Sequence, residues 1–135
     1  MFLLTQATLP HFPEKGGRLV NIASIANRDA PPMQTVYAGS KGMVDSFTKV
    51  WAKELPRKYG ITVNVVSPGP TLTEGFGKAG EDFMQKVRPL IEKTPVGDRF
   101  ARPEEIAYAV GFLCKPRASR INGPHLIADG GLLVV

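Results

Sequence analysis

The chain has 135 residues, of which 43% are hydrophobic and 21% are charged, so it is one globular domain or part of one rather than a disordered protein. Its 17 basic and 12 acidic residues give a net charge of +5, but the two signs are interleaved along the chain, which argues against nucleic acid as a partner. The single cysteine, Cys114, excludes a scaffold of intramolecular disulfides and indicates a reducing compartment, for which we expect the cytoplasm.

The first half of the chain predicts a helix, a strand and a long helix, in that order. Residues 2–9 are largely apolar and end at Pro10, which favours a short helix. Residues 18–24 are almost continuously apolar, as in a parallel strand that is covered on both faces. A loop over residues 25–36 follows, and apolar side chains at a 3.6-residue period then predict a helix over about residues 36–55.

The second half of the chain continues this alternation. The β-branched residues 61–66 predict a second strand, and apolar positions within residues 83–91 indicate one helix in the otherwise unclear region 71–101. Pro103, followed by two glutamates, begins another helix, whose apolar face we expect to place Cys114 in the core. The apolar run of this helix is the longest in the chain, yet it is far shorter than the ~20 residues of a membrane span.

Residues 125–128 predict a third and last strand. Strands that alternate with helices predict an α/β fold with a parallel sheet. A sheet of three strands leaves two open edges, so we expect residues 1–135 to be a partial domain, the C-terminal half of a doubly wound parallel sheet. Open edges and uncovered sheet faces also predict a homo-oligomer, or association with a full-length relative.

Tyr37 and Lys41 are the first candidate site residues. They stand four residues apart on the predicted long helix, so their side chains share one face. A lysine charge favours the phenolate form of a neighbouring tyrosine, which suits that tyrosine to acid–base work near neutral pH. Most pairs at this spacing are only surface contacts, but the small residues Gly39, Ser40 and Gly42 weaken this turn of the helix and indicate that something approaches it closely.

The ends of two predicted strands supply the other candidates. Ser24 ends the first strand, and the segment 67–73, of sequence SPGPTLT, follows the second. Ligands of open α/β sheets bind beyond the carboxyl ends of the strands, so the Ser24 hydroxyl can donate to a substrate oxygen. The glycine and hydroxyls of the segment can contact a phosphate or an amide. Taken alone, Ser24 fits a turn residue or a helix cap better than a donor to a substrate, and the segment also fits a simple turn that ends a strand.

Taken together, these blocks resemble the short-chain dehydrogenase/reductase family. Residues 21–24 (NIAS), 37–41 (YAGSK) and 64–69 (NVVSPG) match motifs of that family, including a serine thirteen residues before the tyrosine and a lysine four residues after it. The closing segments 102–107 (RPEEIA) and 128–131 (ADGG) are similar to the family as well. The resemblance covers nearly the whole chain and implies a Rossmann-type sheet.

The resemblance also implies a nicotinamide cofactor, NADP or alternatively NAD, and a small carbonyl or alcohol substrate. Three catalytic residues are implied: Tyr37 would exchange a proton at the substrate oxygen, Ser24 would orient and polarise that oxygen, and Lys41 would hold the nicotinamide ribose and act on the tyrosine. The implied cofactor-binding residues are Tyr37, Lys41, Pro68, Gly69, Thr71 and Thr73. No metal site is expected, since His11 and His125 stand far from every motif and the sequence has no metal-ligand spacing.

Several parts of the family pattern are absent from the sequence: the glycine-rich loop, the Asn-Asn-Ala-Gly motif and the asparagine that completes the catalytic tetrad. We therefore expect a truncated catalytic half that lacks the part binding adenine and pyrophosphate. Two alternatives stay open, a non-catalytic remnant or partner of a full-length relative, and a lyase or isomerase that uses Tyr37 without a nicotinamide. Met33, Phe76 and Phe83 fall in the segments that would form the pocket, which favours a small apolar or aromatic substrate.

Overall fold

The computed structural model describes residues 1–78 and 80–134. Helices and strands alternate along the chain, and a short 3₁₀ turn follows the first helix and the last helix. The elements in chain order are α1 (Phe2–Thr8), β1 (Gly17–Ile22), α2 (Ala26–Asp29), α3 (Thr35–Glu54), α4 (Pro56–Tyr59), β2 (Ile61–Pro68), α5 (Glu74–Gly77), α6 (Glu81–Glu92), α7 (Pro103–Cys114) and β3 (His125–Ala128).

The three strands form one parallel sheet in the order β1-β2-β3. Gly17 of β1 lies opposite Ile61 of β2, and Val65 of β2 lies opposite His125 of β3. As the central strand, β2 is buried from Ile61 to Ser67. The predicted α/β fold with three parallel strands is therefore confirmed, and in the described part of the chain no further strand pairs with β1 or β3.

Helices cover the sheet on both faces. Ile61 and Val63 of β2 form a buried cluster with Trp51 of α3 on one face. Asn64 and Val66 alternate with them and are also fully buried, so the opposite face is covered as well. Because α7 packs along all three strands, we assign this second cover to α7. The sheet end that carries the candidate residues is thus held between two helical layers.

A smaller buried cluster, the Ala23 cluster, consists of Ala23, Val44 and Val65. It joins the residues after β1 to one turn of α3 and to the centre of β2. Ala23 directly precedes Ser24, and Val44 follows Lys41 by three residues. The cluster therefore fixes the position of the sheet end relative to the helical turn that carries Tyr37 and Lys41.

The structure corrects one predicted loop, one predicted strand end and one burial prediction. The predicted loop 25–36 contains the one-turn helix α2, and β1 ends at Ile22, two residues earlier than predicted. The expected helix near residues 83–91 is confirmed as α6, and the one-turn helix α5 precedes it. The prediction that Cys114 lies in the core is wrong: Cys114 is exposed at the last position of α7, and its neighbour Leu113 takes the buried side.

Strand β2 continues two residues beyond its predicted end at Val66, to Pro68. A proline lacks the N–H that most strand positions need. Here the backbone N–H of Ile25 donates to the Pro68 carbonyl over 3.2 Å, and the N–H of Gly69 donates to the Ala128 carbonyl over 3.0 Å. The neighbouring residues thus continue the ladder on both sides of the proline.

Across residues 1–78 and 80–134, no helix combines the length and the apolar character needed to cross a membrane. In the same part of the chain, no three His, Cys, Asp or Glu side chains converge as metal ligands would.

Candidate functional site

All seven candidate residues lie around one cavity at the carboxyl ends of β1 and β2. We call it the inner cavity, and it has a volume of about 370 Å³. Pro103 and Ile106 of α7 close one side of it. The fold brings together residues from three separate segments of the chain, and the lining contains Ser24, Tyr37, Lys41, Pro68, Gly69, Thr71 and Thr73.

A larger cavity of about 480 Å³ adjoins the inner cavity, and we call it the apolar cavity. Its polar lining is limited to a few groups, among them Asp29 and Gln34. Ser24 and Tyr37 line both cavities, so these two hydroxyl groups lie where the cavities meet. The apolar walls come from the segment after β1 and from α5 and α6, and they include Ile25, Pro31, Phe76, Phe83, Val87 and Leu90.

Lys41 holds a positive charge beside the Tyr37 ring. Its Nζ donates to the carbonyl oxygen of Ile22, at the end of β1, over 3.2 Å. The same nitrogen lies 5.7 Å from the centroid of the Tyr37 ring, as the four-residue spacing predicts. Tyr37 itself is 48% exposed, so its phenol remains accessible from the cavities. The carbonyl of Ile22 thus fixes where the lysine charge lies relative to the phenol.

The Ser24 hydroxyl accepts a backbone hydrogen bond, and its own hydrogen remains available to donate to another group. Its Oγ accepts a hydrogen bond from the backbone N–H of Ala26 over 3.2 Å at the start of α2. A serine hydroxyl is both donor and acceptor, so its hydrogen can still donate to an oxygen placed in either cavity. Both interpretations of Ser24 made from the sequence, a turn residue and a donor to a substrate, are compatible with this geometry.

Gly39 and Gly42 have open space beside them. A Cβ added at either position would meet nothing within 4 Å. Packing within the described chain therefore does not require a glycine at either position, and the expectation that something approaches this turn stays a prediction.

Close packing gives a physical reason for glycine at position 69, besides the expected contact with a ligand, which stays a prediction. A Cβ on Gly69 would lie 2.9 Å from the Cα of Asp129, so close packing against the end of β3 already requires a glycine there. The two threonines of the segment hold the local backbone: Thr71 Oγ1 donates to the Gly69 carbonyl over 2.9 Å, and Thr73 Oγ1 accepts from the N–H of Phe76 over 3.3 Å as the N-cap of α5. Their hydroxyls line the inner cavity with polar groups of fixed position.

An ion pair ties the segment after α6 to the start of α7. The Arg99 guanidinium donates to both carboxylate oxygens of Glu105, at 2.7 and 2.8 Å, and the N–H of Arg102 donates to the same carboxylate over 2.8 Å. The hydrogen bonds from Arg99, and then from Arg102, lower the pKa of Glu105 to about 2. Ala101 pairs with Thr71 as an isolated β-bridge, so this ion pair also supports one wall of the inner cavity.

Of the three residues that favoured an apolar substrate, two line the apolar cavity and one does not. Phe76 and Phe83 line the apolar cavity, with their ring centroids 5.0 Å apart in an edge-to-face arrangement. Met33 is fully exposed and does not line this cavity. Sequence reasoning missed the polar residues Asp29 and Gln34, because no motif marks a cavity wall that forms only when α2 and α6 come together.

The expectation that His125 stands far from every motif is wrong. Its Nε2 forms a hydrogen bond with Ser67 Oγ, at the start of the SPGPTLT segment, and its Nδ1 lies 3.0 Å from Asp45 Oδ1. The signal missing from the sequence is the register of β3 on β2, which places His125 opposite Val65. The strands alone do not specify which residues stand opposite one another.

The amino-acid sequence matches one family of reductases and several dehydrogenases and reductases. The family described as "Enoyl-(Acyl carrier protein) reductase" matches residues 1–133. The chain is 38% identical over 133 residues to "Short chain dehydrogenase asqE" of Emericella nidulans, covering 95% of this chain and 48% of that protein. It is 36% identical over 135 residues to "3-oxoacyl-[acyl-carrier-protein] reductase FabG" of Thermotoga maritima, covering 99% of this chain and 53% of that protein.

The fold comparison agrees with the sequence comparison. A crystal structure described as short-chain dehydrogenase/reductase SDR:Glucose/ribitol dehydrogenase, from Brucella melitensis, matches with a TM-score of 0.86 at 28% identity. The match covers 99% of this chain and 52% of that one. A short chain dehydrogenase from Bacillus anthracis matches with a TM-score of 0.79 at 33% identity, over 99% of this chain and 51% of that one. The chain thus spans about half the length of the curated relatives and solved structures that it matches.

Proposed function

The chain belongs to the short-chain dehydrogenase/reductase family, and from that membership we propose that it carries the catalytic half of an NAD(P)-dependent oxidoreductase acting on a small apolar or aromatic carbonyl or alcohol. The observation that carries this proposal is the junction of the two cavities, because Ser24 and Tyr37 line both. A reaction between two bound molecules needs its acid–base groups where their sites meet.

The inner cavity has the chemistry to hold the nicotinamide ribose part of the cofactor. Lys41 offers an ammonium group for ribose hydroxyls, while Thr71 and Thr73 offer hydroxyls, and the backbone at Pro68 and Gly69 offers polar groups for a carboxamide or phosphate. The bound nicotinamide supplies or accepts the hydride. None of these residues distinguishes NADP from NAD, and the sequence contains no glycine-rich loop for the pyrophosphate.

The residues of this chain supply the proton chemistry. The Tyr37 hydroxyl gives a proton to the substrate oxygen in reduction and takes it back in oxidation, and the ammonium of Lys41 lies 5.7 Å from the centroid of the same ring. The Ser24 hydroxyl donates to the same oxygen and draws electron density from the carbonyl carbon. The Ile22 carbonyl contributes by keeping Lys41 on the tyrosine side of the inner cavity.

The apolar cavity supports the substrate class. Its walls are mainly aliphatic and aromatic, and among the described residues its lining includes Asp29 but no lysine or arginine. Burying an apolar substrate against such walls contributes about 25 cal/mol for each Å² removed from water. An anionic substrate would meet Asp29 without a compensating cation, so we expect neutral substrates to be preferred.

The test is a pair of tyrosine variants assayed with NADPH and NADH on neutral aromatic ketones. Tyr37→Phe should lower turnover by about 10²–10⁴-fold, the usual contribution of a general acid. Tyr108→Phe is the matched control, because Tyr108 is 80% exposed on α7 and lines neither cavity. Turnover within threefold of wild type in Tyr37→Phe would exclude the assigned role.

Binding of nicotinamide mononucleotide separates this proposal from the non-catalytic alternative. The mononucleotide lacks adenine and so probes the inner cavity alone. Binding observed by ligand NMR, and its loss in Lys41→Met, would support the oxidoreductase half-site. A wild-type chain that binds no mononucleotide and reduces no ketone would favour the non-catalytic partner of a full-length relative.

The single cysteine supports a cytoplasmic location for either function.

A further inference from the structure

His125 stands at the centre of a polar cluster on the α3 side of the sheet, in which Arg28 and Lys49 are exposed. Its side chain is only 5% exposed. Nε2 faces Ser67 Oγ, while Nδ1 faces two groups at once, Arg28 Nη2 at 3.1 Å and Asp45 Oδ1 at 3.0 Å. The other oxygen of Asp45 accepts from Lys49 Nζ over 2.8 Å. None of these side chains lines the inner or the apolar cavity.

The cluster is linked to the site through the chain itself. Arg28 follows Ser24 by four residues, Asp45 follows Lys41 by four residues on the same helix, and Ser67 directly precedes Pro68. Each contact of the imidazole therefore reaches a different segment that carries a candidate site residue.

Arg28 and Asp45 compete for one nitrogen atom. A guanidinium only donates hydrogen bonds and a carboxylate only accepts them, whereas Nδ1 either has a lone pair or has a hydrogen. A bare Nδ1 accepts from Arg28, and a protonated Nδ1 donates to Asp45. In the described part of the chain no donor reaches Asp45 Oδ1 in hydrogen-bond geometry, although Nδ1 is close to it. These contacts fit the arrangement in which Arg28 donates to a bare Nδ1 and Nε2–H donates to Ser67.

Arg28 belongs to α2, which forms part of the wall of the apolar cavity. Ala26 and Asp29 line that cavity, and the N–H of Ala26 donates to Ser24 Oγ. With four residues, α2 is too short to be stable by itself, so it depends on tertiary contacts for its position. The bond from Arg28 to His125 is such a contact, and it ties α2 to β3.

We propose that neutral His125 is a positioning residue that holds α2 beside Ser24 through Arg28, and that a proton on Nδ1 turns the imidazole to Asp45 and releases α2. The contact itself does not depend on the proposed oxidoreductase function; only the consequence for substrate binding rests on it. Release would open the α2 wall and weaken the hydrogen bond that places Ser24, so substrate binding should weaken in mild acid.

The groups that face His125 set the direction of its titration. Burial is the largest influence and lowers the pKa of His125, and the charges of Arg28 from α2 and Lys49 from α3 lower it further. Asp45 from α3 opposes them by its charge and by a hydrogen bond to the protonated imidazole. A lowered pKa means that the folded state resists protonation, so the contact between Arg28 and neutral His125 is present at neutral pH. Its contribution to stability declines as the pH falls below 6.5, the ordinary pKa of histidine.

The experiment is NMR of the whole 135-residue chain, in which long-range ¹H–¹⁵N spectra report the hydrogens on each imidazole. The sequence has two histidines, so His11, which is exposed, serves as the internal control. We expect His125 to carry its hydrogen on Nε2 at neutral pH. On acidification the backbone amides of residues 26–30 should lose protection from hydrogen exchange with the midpoint of His125 and not with that of His11.

Three variants separate positioning from simple packing. Arg28→Ala should raise the titration midpoint of His125, move the hydrogen towards Nδ1 and reduce the protection of residues 26–30 at every pH. Arg28→Lys keeps the charge and should leave the midpoint low. His125→Asn places a carbonyl oxygen near the position of Nδ1, which accepts from Arg28 but does not titrate, so the amides of residues 26–30 should stay protected in mild acid.

The proposal is overturned if wild-type His125 carries its hydrogen on Nδ1 at neutral pH, or if the protection of residues 26–30 does not follow its titration. Should His125→Asn fail to fold, the two Arg28 variants decide the question, because Arg28 lies outside the buried core. None of these measurements needs turnover or a cofactor. A chain without oxidoreductase activity would therefore refute the proposed function and leave the contact between His125 and Arg28 to be judged by the spectra.

Discussion

Replacing Gly69 by alanine should destabilise the protein, because the new methyl group has no room. The added Cβ would lie 2.9 Å from both the Cα and the Cβ of Asp129, and neither atom is the end of a flexible side chain. Asp129 is itself held in place, since its carboxylate accepts from the backbone N–H of Gly131 over 2.9 Å and of Leu133 over 2.7 Å. Overpacking of a rigid contact costs ~1–3 kcal/mol, and the fixed position of Asp129 leads us to expect about 2 kcal/mol.

Urea unfolding followed by circular dichroism measures this loss. With a slope of ~1–3 kcal/mol per M, a loss of about 2 kcal/mol lowers the midpoint by roughly 1 M. Gly111→Ala is the matched control: Gly111 lies inside α7, a Cβ there meets nothing within 4 Å, and alanine is the better helix former by ~0.5–1 kcal/mol. The same substitution should therefore shift the midpoint in opposite directions at the two positions.

Binding of nicotinamide mononucleotide to the same variant distinguishes two reasons for the glycine. If contact with Asp129 requires it, Gly69→Ala loses stability, and binding declines only as the turn shifts. If close approach of a ligand requires it, binding is lost while the unfolding midpoint stays that of the wild type. The second result would refute the packing argument and support the interpretation made from the sequence.

Three further predictions concern the rest of the fold. Because the pKa of Glu105 is lowered from 4.5 to about 2 by Arg99 and by the N–H of Arg102, its stabilising contribution should be complete above pH 4.5 and lost as the pH falls towards about 2; Glu105→Gln should lack this acid dependence in thermal melts, and identical acid profiles would contradict it. Asn122→Ala should cost ~2–3 kcal/mol in urea unfolding, since it removes the partners of the Val63 N–H at 2.9 Å and the Ala52 carbonyl at 2.7 Å; an unchanged midpoint would show that these bonds contribute nothing. The open outer edge of β1 should make the chain self-associate, so light scattering should detect species heavier than the 14.6 kDa monomer. A sample that contains only the monomer would contradict this prediction.

The sequence predicted those features of the fold that depend on a pattern within a single helix or strand. The period of apolar residues located α3 and α6, and the short apolar segment at residues 125–128 located β3 with its observed bounds. The common direction of parallel strands also placed Ser24 and the SPGPTLT segment at one end of the sheet. These predictions succeeded because each depends on local periodicity or on chain direction alone.

Features that depend on contacts between distant segments were not readable. The four residues of α2 are too few to show a helical period, and the helix is positioned by contacts that include the bond from Arg28 to His125. The reason for glycine at position 69 depends on Asp129, which approaches only when β3 pairs with β2. The exposure of Cys114 depends on which side of α7 faces the sheet at its last turn.

The Ala23 cluster limits which substitutions this sequence can accept while the candidate catalytic residues keep their positions. Ala23 lines the inner cavity, whereas Val44 and Val65 do not, and all three side chains fit between the segments that carry Ser24 and Lys41. A larger residue at Ala23 would push Ser24 away from the turn of α3 that carries Tyr37, and a smaller one at Val44 or Val65 would let the segments approach. Substitutions there should be tolerated mainly as compensating pairs that preserve total volume, so the spacing of the reactive groups depends on core packing as much as on the reactive residues themselves.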